Sequence, residues 1–380
     1  MDGQGSDKKK TMKRISFITT VDHNIGDDFV REGIKYLLRR YFSGQELIFE
    51  NIHKHSPITV RHGFEWLRSD IFGKVIDKIL PLGLTKDRVL DADIIVQSGA
   101  PVYWCHKIGG GHCAQNEWYT PLINRRCLKN EKTILLNLAA GTCQRYDSDG
   151  LEFRKCPVCS KYIQEFFNLC KVTTVRDALA KKVFNSIGLD APLIPCSSIF
   201  AIDEYGWKDE HPEYVVVNYM REGGHYTFGQ EIDFEKWHKD FKKFYYEIKK
   251  TERVIFSCHN QKEVDEAKSI NQDAEIFYRP NDYLAYMKFY AKAKLGIVNR
   301  VHAAFLMASY GKPSIVIGND SRAKMANEIG LKNVFVNDAN SHYLMSQYED
   351  IKDVIGNFGE RFTEIKKKAY NNYMTALSVL

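Results

Sequence analysis

The sequence predicts an α/β protein of two doubly wound domains facing a cleft, each domain a parallel sheet covered by helices on both faces. Short apolar runs alternate with amphipathic helical stretches in two successive series. Nearly every apolar run ends in a turn carrying glycine, asparagine or aspartate. At 380 residues the chain is also too long for one core and fits two domains of ordinary size. Residues 1–13 read as a disordered tail, 14–205 as the first domain, 206–340 as the second, and 341–380 as a helical tail packing back on the first.

In the first series "RISFITT" (14–20) reads as a buried strand. It enters the turn "VDHNIGDD" and then a helix with apolar spacing at Phe29, Ile34, Leu37 and Leu38. "ELIFEN", "DADIIVQSGA" and "KTILLNLAAG" are further strands. "VTTVRDALAKKVFNSIGL" gives a strand end, a tight junction and a helix closed by Gly188. The polar stretch "AIDEYGWKDEHPE" (201–213) reads as the linker. In the second series the strands are "EYVVVNYM", "RVIFSCHN", "AEIFYR", "AKLGIVN", "KPSIVIG" and "KNVFVND". Helices fall at roughly 233–250, 261–271, 281–292, 300–310 and 321–329 by apolar period.

The composition is 44% hydrophobic and 27% charged, that of a soluble globular protein. Net charge is +6, with basic runs at Lys8–Lys10, Lys13 and Arg14 and at Lys366–Lys368. These are solvated ends or a weak attraction to an anionic membrane surface. A nucleic-acid role would need a denser basic stripe with interleaved aromatics. No apolar run is long enough to span a membrane, and no secretory signal is visible, so a cytoplasmic location is expected, with the inner membrane face as a variant.

Ligands in doubly wound sheets bind outside the carboxyl ends of the strands. Four junctions of that kind carry chemistry. In "NIGDD", Asn24, Gly26 and Asp27 precede a helix, where Gly26 allows close backbone approach and free amides suit an anion or a sugar hydroxyl. A capped helix start explains the same residues. In "TVRD", Arg176 faces the cleft with a guanidinium suited to phosphate or carboxylate, and Asp177 caps the helix or holds the arginine. In "IVNRVHAAF", Arg300 and His302 stand where a strand gives way to a helix, and a histidine there can act as a general acid. In "IGNDSRAKMANEIGL", Asp320, Arg322 and Lys324 open another helix, where the basic residues call for a compensating negative charge. Arg221 and His259 follow second-domain strands and face either the cleft or solvent.

Nine cysteines in an unsecreted chain suggest thiols or metal ligands rather than disulfides. "CPVC" (Cys156, Cys159) forms a plausible knuckle that Cys143 and Cys170 would complete as a tetrahedral zinc site. An iron–sulfur cluster is a lesser user of the same four. "CHKIGGGHC" is another source of a second ligand pair, a redox dithiol is a further reading, and ordinary reduced thiols explain all of them.

Taken in order, the N-x-G-D, V-R-D, R-x-H and strand, G-x-P, strand, D-x-basic segments resemble the polysaccharide pyruvyl transferase family, from about residue 14 to 335. The resemblance implies a GT-B-like pair of Rossmann-like domains. It implies transfer of the enolpyruvyl unit of phosphoenolpyruvate to a sugar of a glycan or glycan precursor, closing a pyruvate ketal with release of phosphate and no cofactor. It places Arg176 and Arg300 on the donor's phosphate and carboxylate, and His302 as the acid for its methylene carbon. Arg322 falls where the family often carries lysine, and Asp27 is suited to orient or deprotonate the acceptor hydroxyl. The family's glycine cluster after its third strand is displaced here into "QSGAPVYWCHKIGGGHC". Two other readings stand beside this one. A glycosyltransferase of the same build would use a nucleotide sugar, with Glu328 the nearest acid for the ribose. A non-catalytic or redox-sensing member would depend on the cysteines.

Overall fold

The computed structural model describes residues 12–54, 59–61, 85–87, 92–104 and 132–380. The first domain carries β1 (Met12–Thr19), α1 (Ile25–Tyr41), β2 (Glu46–His53), the pair β3 (Thr59–Arg61) and β4 (Thr85–Asp87), β5 (Ile94–Ser98), β6 (Pro101–Trp104), β7 (Ile134–Cys143), α2 (Pro157–Leu169), β8 (Val172–Val175) and α3 (Ala178–Ser186). β1 begins at Met12, inside the stretch expected to be disordered; residues 1–11 lie outside the described residues.

The main sheet is parallel and runs β2-β1-β5-β7, with β6 pairing the last residues of β7 beyond β5 and β8 also pairing β7. Numbering β1, β2, β5, β7 and β8 in turn gives the order 2-1-3-4-5, whose switch point lies between β1 and β5. The apolar residues of α1 that the period singled out, Phe29, Ile34, Leu37 and Leu38, are fully buried. Asn24 caps that helix, Asp27 and Asp28 lie in its first turn, and Arg39 and Arg40 lie in its last, as the helix dipole favours.

The second domain carries β9 (Tyr214–Asn218), α4 (Phe234–Ile248), β10 (Val254–Ser257), α5 (Gln261–Ile270), β11 (Glu275–Phe277), α6 (Tyr283–Ala291), β12 (Ala293–Val298), α7 (Val301–Ser309), β13 (Ser314–Gly318) and β14 (Lys332–Phe335). Its sheet is parallel in the order β11-β10-β9-β12-β13-β14, or 3-2-1-4-5-6. The switch point falls between β9 and β12, directly before Arg300. The expected helix at 321–329 is a 3₁₀ helix, Ser321–Ile329. It closes on Gly330 in the left-handed region, and Asp320 caps its start.

The chain ends in α8 (Ser341–Asp353) and α9 (Ile355–Leu377). α8 packs on α4 in the second domain, whereas α9 crosses to the first domain and packs on α1. Tyr373 is fully buried, its hydroxyl donating to the Pro195 carbonyl at 3.1 Å. Lys366 pairs with Asp203 at 2.6 Å. α7 is apolar on every face because it lies between the two sheets' helical layers, touching α1 and α9. One hydrophobic cluster therefore runs through both domains, from Phe17 and Phe29 through Phe305 and Met307 to Tyr373. Each large side chain buried there contributes about 1.5–3 kcal/mol. No helix among the described residues is long and apolar enough to cross a membrane.

Candidate active site

The two switch points face each other across a cleft of about 870 Å³. Its walls come from the carboxyl ends of strands in both sheets, so Asn24, Gly26, Asp27, Arg176, Arg300, His302, Asp320 and Arg322 all reach one space.

His302 lies in the first turn of α7. Its ring packs against Gly26 in the opposite domain: a β-carbon added to Gly26 would stand 2.7 Å from the imidazole Nδ1. The glycine of "NIGDD" is thus required by a contact between domains. The Nε2 atom of His302 is buried and has no hydrogen-bond partner among the described residues. Burial, then the charges of Arg176, Arg322 and Arg300, hold the imidazole well below its ordinary value. That setting favours the neutral ring.

Asn24 holds the far side of that contact. Its Oδ1 accepts from the Gly26 amide at 3.2 Å, and its Nδ2 donates to Asp27 Oδ2 at 3.0 Å. Asp27 is thereby oriented on the cleft wall. Asp28, one residue on, points away into a buried network. It pairs with Arg31 at 2.5 Å, and Arg31 pairs with Glu32 at 2.9 Å. Burial pushes Asp28 up to about 7, against the pull of Arg31.

Arg176 is buried, at the end of β8. Ala139, at a positive φ of 55°, marks an irregularity in β7, and the Arg176 amide donates to the Ala140 carbonyl at 2.8 Å. The guanidinium then passes over two glycines. A β-carbon on Gly141 would lie 2.5 Å from Nε, and one on Gly99 would lie 3.0 Å from Nη1. Asp177 turns to its own helix: it caps Ala180 at 2.7 Å and accepts from Thr142 through the amide and the hydroxyl, at 2.8 and 3.0 Å. Among the described residues the Arg176 side chain has a 4.0 Å contact to Cys196 Sγ, no hydrogen bond at Nε and no carboxylate ion-paired to it, although its charge acts on neighbouring Asp177.

The second-domain arginines are different. Arg300 binds Glu263, through Nε at 3.0 Å and through Nη2, and also touches His225. Burial pushes Glu263 up, but Arg300 and His259 outweigh it, leaving the carboxyl below its ordinary value. Arg300, then burial, pushes His225 far down. Burial, then Arg300, holds His259 down at about 3. Arg322 is gripped by Asp320 at 2.9 and 2.6 Å. Burial works against its charge, yet Asp320 more than offsets this and raises it.

Several expected residues are not brought here. Arg221 is exposed, paired with Glu235 at 2.7 Å and stacked 4.5 Å over Phe234, because the chain turns outward after β9. Lys324 lies 4.7 Å over the Tyr146 ring, and Glu328 packs at the Ala178 amide, so neither lines the cleft. The proposed four-cysteine metal site is not assembled. Cys143 lines the cleft at the end of β7. Cys156 and Cys159 interact at the start of α2, and Cys170 lies beyond its other end, about 20 Å along the helix. Among the described residues no group of three or more histidine, cysteine or acidic side chains is placed to hold a metal ion. "CHKIGGGHC" lies outside the described residues.

Sequence reasoning missed His225, Glu263, Gly99, Gly141, Trp104 and Tyr226. The paired glycines before His225 and the glycines closing "IIVQSG" and "NLAAG" were the available signals. Nothing in the pattern ranked His225 above Arg221, and Glu263 reads as an ordinary helix residue.

Comparison with known proteins bears on the fold and the family. No curated protein matches the chain. Solved structures share its fold at low identity. One is a Listeria monocytogenes protein assigned as a UDP-N-acetylglucosamine 2-epimerase, with TM-score 0.56 and 13% identity, covering 97% of this chain and 96% of that one. S. aureus MnaA with UDP gives 0.53 and 14%, covering 92% and 91%. The UDP-GlcNAc 2-epimerase of Methanocaldococcus jannaschii gives 0.50 and 12%, covering 94% and 99%. These neighbours support the two-domain GT-B build and carry no assignment of substrate. The model of the family described as polysaccharide pyruvyl transferase matches residues 24–321. That span begins at Asn24, encloses Arg176, Arg300 and His302, and ends at the 3₁₀ helix carrying Arg322, so the chain belongs to the polysaccharide pyruvyl transferase family.

Proposed function

We propose that the chain transfers the enolpyruvyl unit of phosphoenolpyruvate to a sugar of a glycan precursor, forming a pyruvate ketal and releasing phosphate. The observation that carries this reading is the convergence of Arg176, Arg300 and Arg322 with His302 on one cleft, where the His302 Nε2 is buried without a hydrogen-bond partner among the described residues. A small molecule bearing both phosphate and carboxylate suits that arrangement. Arg176 has no carboxylate ion-paired to it among the described residues and is the natural first contact for the phosphate or the carboxylate.

Donor charge next to His302 reverses its surroundings and favours the imidazolium. The protonated ring gives its proton to the methylene carbon, leaving an oxocarbenium-like centre at the adjacent carbon. A sugar hydroxyl forms a bond to that centre and gives up its proton, for which Asp27, held by Asn24, is the oriented acceptor. A second hydroxyl of the same sugar then displaces the phosphate. The C–O bond to phosphate breaks with its electron pair, and the hydroxyl proton leaves on the phosphate. The arginines stabilise the departing charge. The acceptor is expected in the cytoplasm, on a precursor that this chain meets in solution or at the inner membrane face.

The test is incubation with phosphoenolpyruvate and a panel of lipid-linked or nitrophenyl sugars. Phosphate release with the mass gain of a ketal is expected. Hydrolysis or no reaction across the panel, in protein that binds phosphoenolpyruvate, would count against transfer.

A further inference from the structure

The cleft is larger than a three-carbon dianion needs, and one end of it is aromatic. Trp104 closes β6 in the first domain; Tyr226 and Phe228 lie in the loop after β9 in the second. The rings of Trp104 and Tyr226 meet edge to face with centroids 4.9 Å apart, and Phe228 stands 6.3 Å from Trp104 and 5.8 Å from Tyr226. This cluster does not behave like core. Tyr226 is 44% exposed, and Trp104 is only partly buried. Phe228 is held at a positive φ of 51°, a strained backbone for an aromatic residue. The cluster is continuous with the cationic end, since the Arg322 guanidinium lies 5.7 Å over the Tyr226 ring. Trp104 and Tyr226 line the same space as His302.

We propose that Trp104 and Tyr226 form a platform that holds the acceptor's sugar ring and sets which sugars are accepted. The inference rests on the pyruvyl-transfer reading and names the part of the cleft that its second substrate uses. A pyranose carries C–H groups on its faces and hydroxyls around its rim. Large amphipathic rings cover the first and leave the second free, and two-torsion aromatics do so at small entropic cost. The two rings come from different domains, so a sugar held by both is presented across the cleft to the donor. Asn281, in the left-handed region, lines the same cleft and offers polar contacts to the rim hydroxyls.

The test uses Trp104→Ala, Trp104→Phe, Tyr226→Ala and Tyr226→Phe in the full chain. The probes are phosphoenolpyruvate and the p-nitrophenyl glycosides of galactose, glucose and mannose. Dissociation constants come from calorimetry for the donor and saturation-transfer NMR for the glycosides, with thermal melting as the folding control. The alanine variants are expected to weaken glycoside binding tenfold or more while the donor constant stays within twofold, and the phenylalanine variants are expected to retain most of the affinity. Equal losses for donor and glycoside, unchanged glycoside binding, or no glycoside binding to the unaltered protein would each overturn the platform. Failure of the transfer reading would show separately, as glycoside and donor binding to the unaltered protein with no phosphate released.

Discussion

The two walls of the cleft carry the same charged group in opposite electrostatic settings. On the second-domain wall Arg300 and Arg322 are each clamped by a buried carboxylate, Glu263 or Asp320. On the first-domain wall Arg176 is more deeply buried than either and has no such partner among the described residues. A guanidinium already paired is positioned in advance, and its charge is partly spent. An unpaired buried guanidinium carries a desolvation cost that a bound anion offsets. On the proposed reading, the difference separates the arginine that answers to ligand binding from the two that hold the geometry.

Arg300→Ala should break this comparison most severely. It strands Glu263 without its counter-charge, so stability should fall by about 3–5 kcal/mol together with activity, read by denaturant unfolding and phosphate release. Arg176→Ala should cost turnover at least 100-fold in kcat/KM, a loss of about 2.7 kcal/mol or more in transition-state binding, with no loss of melting temperature. A melting temperature that falls as far as in Arg300→Ala would erase the distinction between the walls.

His302→Gln should lower kcat by about 10²–10⁴-fold with donor affinity kept, the signature of a missing acid. Gly26→Ala is expected to act through the same ring. The added methyl displaces the imidazole, and a loss of up to about 100-fold in kcat is expected. Both are read in steady-state kinetics with calorimetric donor binding.

The pH dependence follows from the same asymmetry. Burial and the surrounding arginines depress His302, and donor charge would offset the arginines, so phosphoenolpyruvate binding near neutral pH should take up a proton. Calorimetry in buffers of differing ionisation enthalpy measures that uptake; release or no exchange would contradict it. Asp28 is a stability effect. Its folded value, about 7, lies above its ordinary 3.8, so the folded state binds more protons between those values. Stability from this group is therefore present at low pH and is lost as pH rises from about 4 to 7. Asp28→Asn should flatten that part of the melting profile. Arg221→Ala should be the smallest effect, within twofold in activity and about 0.5 kcal/mol in stability, as for a surface ion pair.

The legible part of the site consisted of residues at strand ends. Asn24, Gly26, Arg176, Arg300, His302 and Arg322 were recognisable because alternation places strand-to-helix junctions on one edge of each sheet. Their ion-pair partners were not. Glu263 lies inside a helix 37 residues before Arg300, and no local pattern links the two. Arg221 misled for the converse reason: it follows a strand, but the loop after β9 turns it outward and brings His225 and Tyr226 inward instead. The cysteine reading failed on length, since spacing along a chain does not reveal that α2 separates Cys156 from Cys170.

By itself, the sequence determined the alternation of elements, the two sheets and the junctions that carry charge. Those are local matters, governed by apolar period, helix caps and the carboxyl-end rule. Only the tertiary structure decided that Gly26 of one domain must lack a side chain for His302 of the other, and that Arg300 is ion-paired to a carboxylate while Arg176, among the described residues, is not. Contacts between residues hundreds of positions apart depend on how two sheets face each other across one hydrophobic cluster, and that arrangement is a property of packing rather than of any segment.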